Sequence, residues 1–138
     1  MSYGYTGKIL WVDLTERHIT VEERDEVFYR RYFGGWNVIL DVLLRQVPKG
    51  ADPLGPENIL VFAAGILTGT PLPGAGRNAV GAKSPLTGGF GVGEVGGFWG
   101  AELKKAGYDA IVIEGQSEEP VYLAITDGDV RLHDARHL

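Results

Sequence analysis

Two short clusters carry the residue types that could do chemistry in this chain. The first is Pro73-Gly74-Ala75-Gly76-Arg77-Asn78. Its glycines leave the backbone open to close approach, and its arginine offers a planar guanidinium that grips phosphate through parallel hydrogen bonds. The second is Gly93-Glu94-Val95-Gly96-Gly97-Phe98-Trp99, placed where a helix is expected to open. Backbone N–H groups left unpaired in such a stretch make an anion site. Together they point to holding a phosphate-bearing ligand. Tight turns and close packing use glycine too, so a purely structural reading of each glycine stays open.

Other chemistries find little support. There is no cysteine, which excludes disulfides, zinc–thiolate sites, iron–sulfur ligation and a cysteine nucleophile within this chain. His18, His133 and His137 are scattered, and Ser84 lacks the G-x-S-x-G setting of a nucleophile elbow. Glu94 and Glu102 are eight residues apart, too far to act as a carboxylate pair on one helical turn. No nucleophile–base arrangement can be assembled, so no catalytic residue and no metal ligand set is assigned. Gly91-Val92-Gly93-Glu94-Val95-Gly96 fits G-x-G-x-x-G, and Glu114 lies near the distance of a ribose-binding acid. The long preceding strand of a dinucleotide fold is absent, however. No G-x-x-x-x-G-K-[ST] occurs.

The elements that must position these clusters follow from local signals. Residues 8–14 and 19–22 are rich in β-formers around Thr15-Glu16-Arg17 and read as a hairpin. Asp25 reads as an N-cap. Val27, Phe28, Tyr32, Phe33, Ile39, Leu40, Val42, Leu43 and Leu44 form a helical face that Gly34-Gly35 interrupts, giving two helices or one broken one. Residues 58–64 read as a buried strand. Short strands at 78–82 and 89–93 flank the turn Ser84-Pro85-Leu86-Thr87-Gly88. A helix over 97–106 ends at Gly107, a strand follows at 109–114, and Asp127-Gly128 turns a last hairpin of 121–126 and 129–133. Trp11, Trp36 and Trp99 read as core residues. The fold class is α+β: antiparallel hairpins and a mixed sheet with two main helices.

The 138 residues fit one domain, 1–138, large enough to bury a core. Thirteen of the 21 glycines fall between Gly65 and Gly107, without the three-residue period of collagen. Thirteen Lys and Arg face 18 Asp and Glu, net −5, with no basic stripe, which argues against nucleic acid. No signal peptide opens the chain and no apolar run could span a bilayer, so a cytoplasmic protein off the membrane is expected.

Several strings resemble one family in order and nearly end to end. They are Gly7-Lys8-Ile9-Leu10-Trp11-Val12-Asp13-Leu14, Asp52-Pro53-Leu54-Gly55-Pro56-Glu57-Asn58, Ala63-Ala64-Gly65-Ile66-Leu67-Thr68-Gly69-Thr70, Gly76-Arg77-Asn78, Lys83-Ser84-Pro85-Leu86-Thr87-Gly88, Gly96-Gly97-Phe98-Trp99-Gly100-Ala101-Glu102-Leu103-Lys104 and Ala106-Gly107-Tyr108-Asp109-Ala110-Ile111. Together they resemble the N-terminal domain of the tungsten-containing aldehyde:ferredoxin oxidoreductases. The resemblance implies an α+β base for a bis-pyranopterin cofactor of tungsten, or of molybdenum in relatives, with magnesium bridging its two phosphates. It implies oxidation of aldehydes to carboxylic acids, with electrons passed to ferredoxin.

By position, Arg77 and Asn78 would meet a pterin or its phosphate, and the loop Glu94-Val95-Gly96-Gly97 would supply backbone contacts to phosphate and magnesium. Glu94 stands where aldehyde-oxidising members carry Asn. A carboxylate beside phosphate is unfavourable unless it points away or reaches the magnesium. Family enzymes run several hundred residues further. Their [4Fe–4S] ligands, second pterin loop and substrate pocket lie in those parts, so the remaining enzyme domains are expected partners. The family's N-terminal domain holds two echoing halves, of which this chain matches the first. A homodimer is therefore expected, with a second copy standing in for the missing half. The alternative reading is a non-catalytic module that binds or carries pterin as a homo-oligomer. The isolated chain should give no aldehyde-dependent reduction of a viologen dye; turnover in that assay would overturn this expectation.

Overall fold

A computed structural model describes residues 4–138. The elements run β1 (Lys8–Asp13), β2 (His18–Glu23), α1 (Glu26–Tyr32), α2 (Trp36–Gln46), β3 (Leu60–Ala64), β4 (Asn78–Lys83), β5 (Phe90–Val95), α3 (Trp99–Lys105), β6 (Ala110–Glu114), β7 (Val121–Thr126) and β8 (Asp129–Asp134). Six strands form one mixed sheet in the order β2-β1-β6-β3-β4-β5, and β7-β8 form a separate hairpin. Among the described residues only β1 and β6 pair in parallel. The fold is α+β, as the sequence predicts.

The central strands are apolar at successive positions because both sheet faces are covered. Along β1, Ile9 joins one core with Val38, Ile39 and Val42 of α2, whereas Leu10 and Val12 join a second core on the other face. In β6, Ala110 and Val112 face α2 while Ile111 and Ile113 face the second core. Leu103 of α3 and the hairpin residues Leu123, Ile125, Val130 and Leu132 cover that second face.

Asp25 caps α1 as expected, its Oδ1 accepting from the Phe28 amide at 2.9 Å. The break at Gly34-Gly35 separates α1 from α2. Gly34 has φ +85°, and a Cβ there would lie 2.5 Å from the Ala64 carbonyl. The glycine lets the helix junction bridge to Gly65 at the end of β3.

Two sequence expectations need correction. Trp36 and Trp99 are not core residues; they are 45% and 41% exposed. Each stands at the start of its helix and packs by one edge, Trp36 against Phe90 and Trp99 against Phe62. Trp11 is half-buried, with its indole N–H donated to Glu22. The last strand before α3 also runs further than 89–93, so Glu94 and Val95 belong to β5 rather than to a loop.

Asp13 and Glu114 are register partners on β1 and β6. Burial first, and then the Asp13 charge, raise the Glu114 carboxyl above its ordinary pKa. A raised folded-state pKa means that Glu114 favours folding at acid pH and that this contribution is lost as pH climbs through the folded value. Glu114→Gln should therefore stabilise the protein near neutrality by about 0.2–1 kcal/mol, the scale of a like-charge cross-strand pair. Thermal melts at pH 7 and pH 3 check this: the gain should be present at the first and absent at the second.

Candidate functional site

The two glycine-rich clusters come together at one end of the β4–β5 hairpin. Asn78 pairs with Val95 and Ala79 with Glu94, which sets the Arg77 loop beside the end of β5. Beyond the strands the backbones close further. A Cβ on Gly76 would lie 3.2 Å from the Gly97 carbonyl oxygen, so a side chain there would fill the space between the loops. Gly96 and Gly97 have open space on their Cβ side, and Gly97 has φ +95°. β5 is an edge strand, with half of its backbone groups turned away from β4. At seven residues α3 is too short for its dipole to define a site. The positive charge comes from Arg77.

The Arg77 side chain is 71% exposed, and its Nη1 lies 3.8 Å from a Glu94 carboxylate oxygen. A pair this exposed restrains the guanidinium weakly. Its backbone, by contrast, is held. Thr68 is buried and its hydroxyl donates to the Arg77 carbonyl at 2.5 Å while accepting from the Gly65 amide at 3.0 Å. Phe33, Leu67, Gly74, Ala75 and Arg77 line an adjoining cleft of about 490 Å³.

Asn78 is 5% exposed, and its Oδ1 is buried without a hydrogen-bond partner among the described residues. A Cβ on Gly100 would lie 3.2 Å from that oxygen and 2.7 Å from Thr68 Cγ2. The first turn of α3 thus rests directly on Thr68 and Asn78. A cradle that a side chain would fill and an exposed arginine suit an anionic ligand gripped partly by backbone, while the Asn78 oxygen, an acceptor buried against Gly100, belongs to the support behind that cradle.

The model for the aldehyde ferredoxin oxidoreductase N-terminal domain matches residues 9–138. The chain belongs to this family. Tungsten-containing aldehyde ferredoxin oxidoreductases of Pyrococcus furiosus and Thermococcus kodakarensis are 46% and 47% identical over 99% of the chain, which spans 22% of each. An aliphatic sulfonate oxidoreductase WOR-like subunit of P. furiosus is 37% identical over 96% of the chain. The solved active site complex BamBC of benzoyl coenzyme A reductase, with 1,5-dienoyl-CoA, matches at a TM-score of 0.94 and 43% identity, covering 98% of this chain and 21% of that one. The chain therefore spans about a fifth of the length of these relatives.

Within this family member, the sequence-assigned residues Arg77, Asn78, Glu94, Val95, Gly96 and Gly97 share one corner of the fold. Sequence reasoning missed Thr68, Lys104 and Asp109, which are all buried polar residues behind that corner. A signal existed for Asp109, a lone acid heading the apolar run Ala110-Ile111-Val112. No local signal marks Thr68, whose partners lie three and nine residues away across a loop.

Thr68→Val keeps the shape against Gly100 but leaves the Gly65 amide and Arg77 carbonyl unpaired. It should cost about 1–3 kcal/mol. Urea unfolding would measure the loss, and amide exchange at Gly65 should rise with it.

Proposed function

We propose that this chain is the pterin-holding portion of a tungsten oxidoreductase and that the Arg77–Gly97 corner holds cofactor phosphate. The observation that carries the proposal is the meeting of Gly76 with Gly97 beside an exposed arginine. Arg77 would bind phosphate oxygens through its forked N–H groups, and the backbone of residues 94–97 would contact the ligand where no side chain intervenes. Asn78, buried against Gly100, would support the corner from behind. A bridging magnesium takes oxygen ligands, and Glu94 brings a carboxylate to that corner. When bound, the metal–pterin group supplies the redox chemistry.

The named substrates of the relatives support a cofactor role over a substrate role. Aldehyde oxidoreductases and a benzoyl coenzyme A reductase complex match this segment at 43–47% identity. A segment shared by enzymes of such different substrates suits what they have in common. The chain has no cysteine, so an iron–sulfur cluster would be ligated by other polypeptide. In the assembled enzyme we place aldehyde oxidation and electron transfer to ferredoxin with those parts, in the cytoplasm.

Titrating the ¹⁵N-labelled protein with a phosphate-bearing pyranopterin should shift the amides of Arg77, Gly96 and Gly97. Arg77→Ala should weaken binding roughly 10- to 100-fold, the worth of a charge-assisted hydrogen-bond pair. Glu94→Gln should tighten binding in magnesium-free buffer by removing a like charge. Unmoved amides at Gly96 and Gly97 under saturating ligand would sink the proposal.

A further inference from the structure

We propose that Lys104 is a positioning residue for the phosphate corner, acting through the loop of residues 65–70 to hold the backbone of Arg77; its role toward phosphate rests on the function proposed above.

Lys104 is 3% exposed, in the last turn of α3. Its ammonium donates to the Ile66 carbonyl at 3.1 Å and to the Gly4 carbonyl, and lies 3.5 Å from Asp109 Oδ1. The carboxylate opposite is itself saturated. Asp109 accepts from the Thr6 amide at 2.9 Å, the Gly7 amide at 2.8 Å and the Tyr29 hydroxyl at 2.8 Å. Burial lowers the Lys104 pKa, opposed by the Asp109 charge, and raises that of Tyr29.

From Ile66 the connection to the corner is short. Two residues on, Thr68 joins the Gly65 amide to the Arg77 carbonyl. Gly69, at φ +82°, packs its backbone on α3: a Cβ there would lie 3.4 Å from Ala101 Cα and 3.8 Å from Lys104 Cβ. At the other end of the same helix, Gly100 rests on Thr68 and Asn78. One seven-residue helix thus braces both sides of the corner. Its first turn supports Asn78, and Lys104 in its last turn ties down the loop that fixes Arg77. A buried ammonium spent on two loop carbonyls sets backbone position, since its alternative, an apolar side chain, would make no such bonds.

The test uses Lys104→Met combined with Asp109→Asn, so that no lone charge is left buried, with inorganic pyrophosphate as the probe. Exchange of the Gly65 and Thr68 amides, which are hydrogen-bonded in the loop, should rise in the ligand-free variant while Val61 and Val112 in the sheet core stay protected. Pyrophosphate affinity should fall about 3- to 30-fold. In an Arg77→Ala background the same pair of changes should have no further effect on affinity, because both act through one contact. Uniform loss of protection, or full additivity with Arg77→Ala, would show a merely structural role and overturn the inference. If the double variant does not fold, Thr68→Val cuts the same connection, and unchanged affinity in that protein overturns the inference equally. Failure of the wild-type protein to bind pyrophosphate would count against the proposed function, while the exchange pattern still decides whether Lys104 positions Arg77.

Discussion

A carboxylate sealed from water must be surrounded by donors, and Asp109 is such a carboxylate at 4% exposure. Meeting that demand draws together pieces that the sheet alone would leave apart. The N-terminal segment supplies the Thr6 and Gly7 amides, α1 supplies the Tyr29 hydroxyl, and α3 supplies the Lys104 ammonium. The backbone of Asp109 is engaged as well, its N–H donating to Lys8 and its carbonyl accepting from Ala64. One side chain thereby fixes how the two helical layers meet the sheet between them. Removing a single partner would leave a buried charge exposed to an apolar interior, which is why such networks resist piecemeal change.

The phosphate corner depends on this arrangement and on what is missing from it. A side chain on Gly100 would collide with Thr68, and one on Gly76 would press on the Gly97 carbonyl. Their emptiness lets two loops and a helix approach to backbone contact. Large side chains are instead pushed outward around the corner: Leu67, Leu72, Val95 and Phe98 are all more than half exposed. This surface, apolar at the rim and backbone-lined at the centre, is compatible with the cofactor proposed for it.

Much of the frame is legible in the sequence because its signals are local. The β1–β2 hairpin, the Asp25 cap, the helix break at Gly34-Gly35 and the Asp127-Gly128 turn are each written within a few residues. The corner itself is half legible. Arg77 and Gly97 stand out by composition, but their meeting depends on the β4–β5 register, which pairs Asn78 with Val95. Local pattern also misplaces Glu94 and Val95, because they adjoin Gly96-Gly97 and only pairing to β4 carries the strand past residue 93 to residue 95. Trp36 and Trp99 show the same limit: their size argues for burial, but helix-start positions leave one side of each ring in solvent. Lys104 is least legible of all, since it lies on a helix flanked by the exposed Lys105 and its partners are Gly4, Ile66 and Asp109.

Backbone recognition, as proposed for residues 94–97, would also accommodate Glu94 at this corner. Contacts made through N–H and C=O groups survive a change of side chain, so the proposed ligand contacts would not depend on the side chain at 94. The side chain is then left to adjust charge. Here it lies 3.8 Å from Arg77, close enough to offset part of the guanidinium charge but too exposed to hold it. In the proposed role a phosphate at Arg77 would compete only with a weak surface ion pair, whereas the backbone beneath is anchored by buried hydrogen bonds. The corner therefore combines an exposed cationic side chain with a hydrogen-bonded peptide frame. That division assigns affinity mainly to Arg77 and geometry to the buried residues behind it.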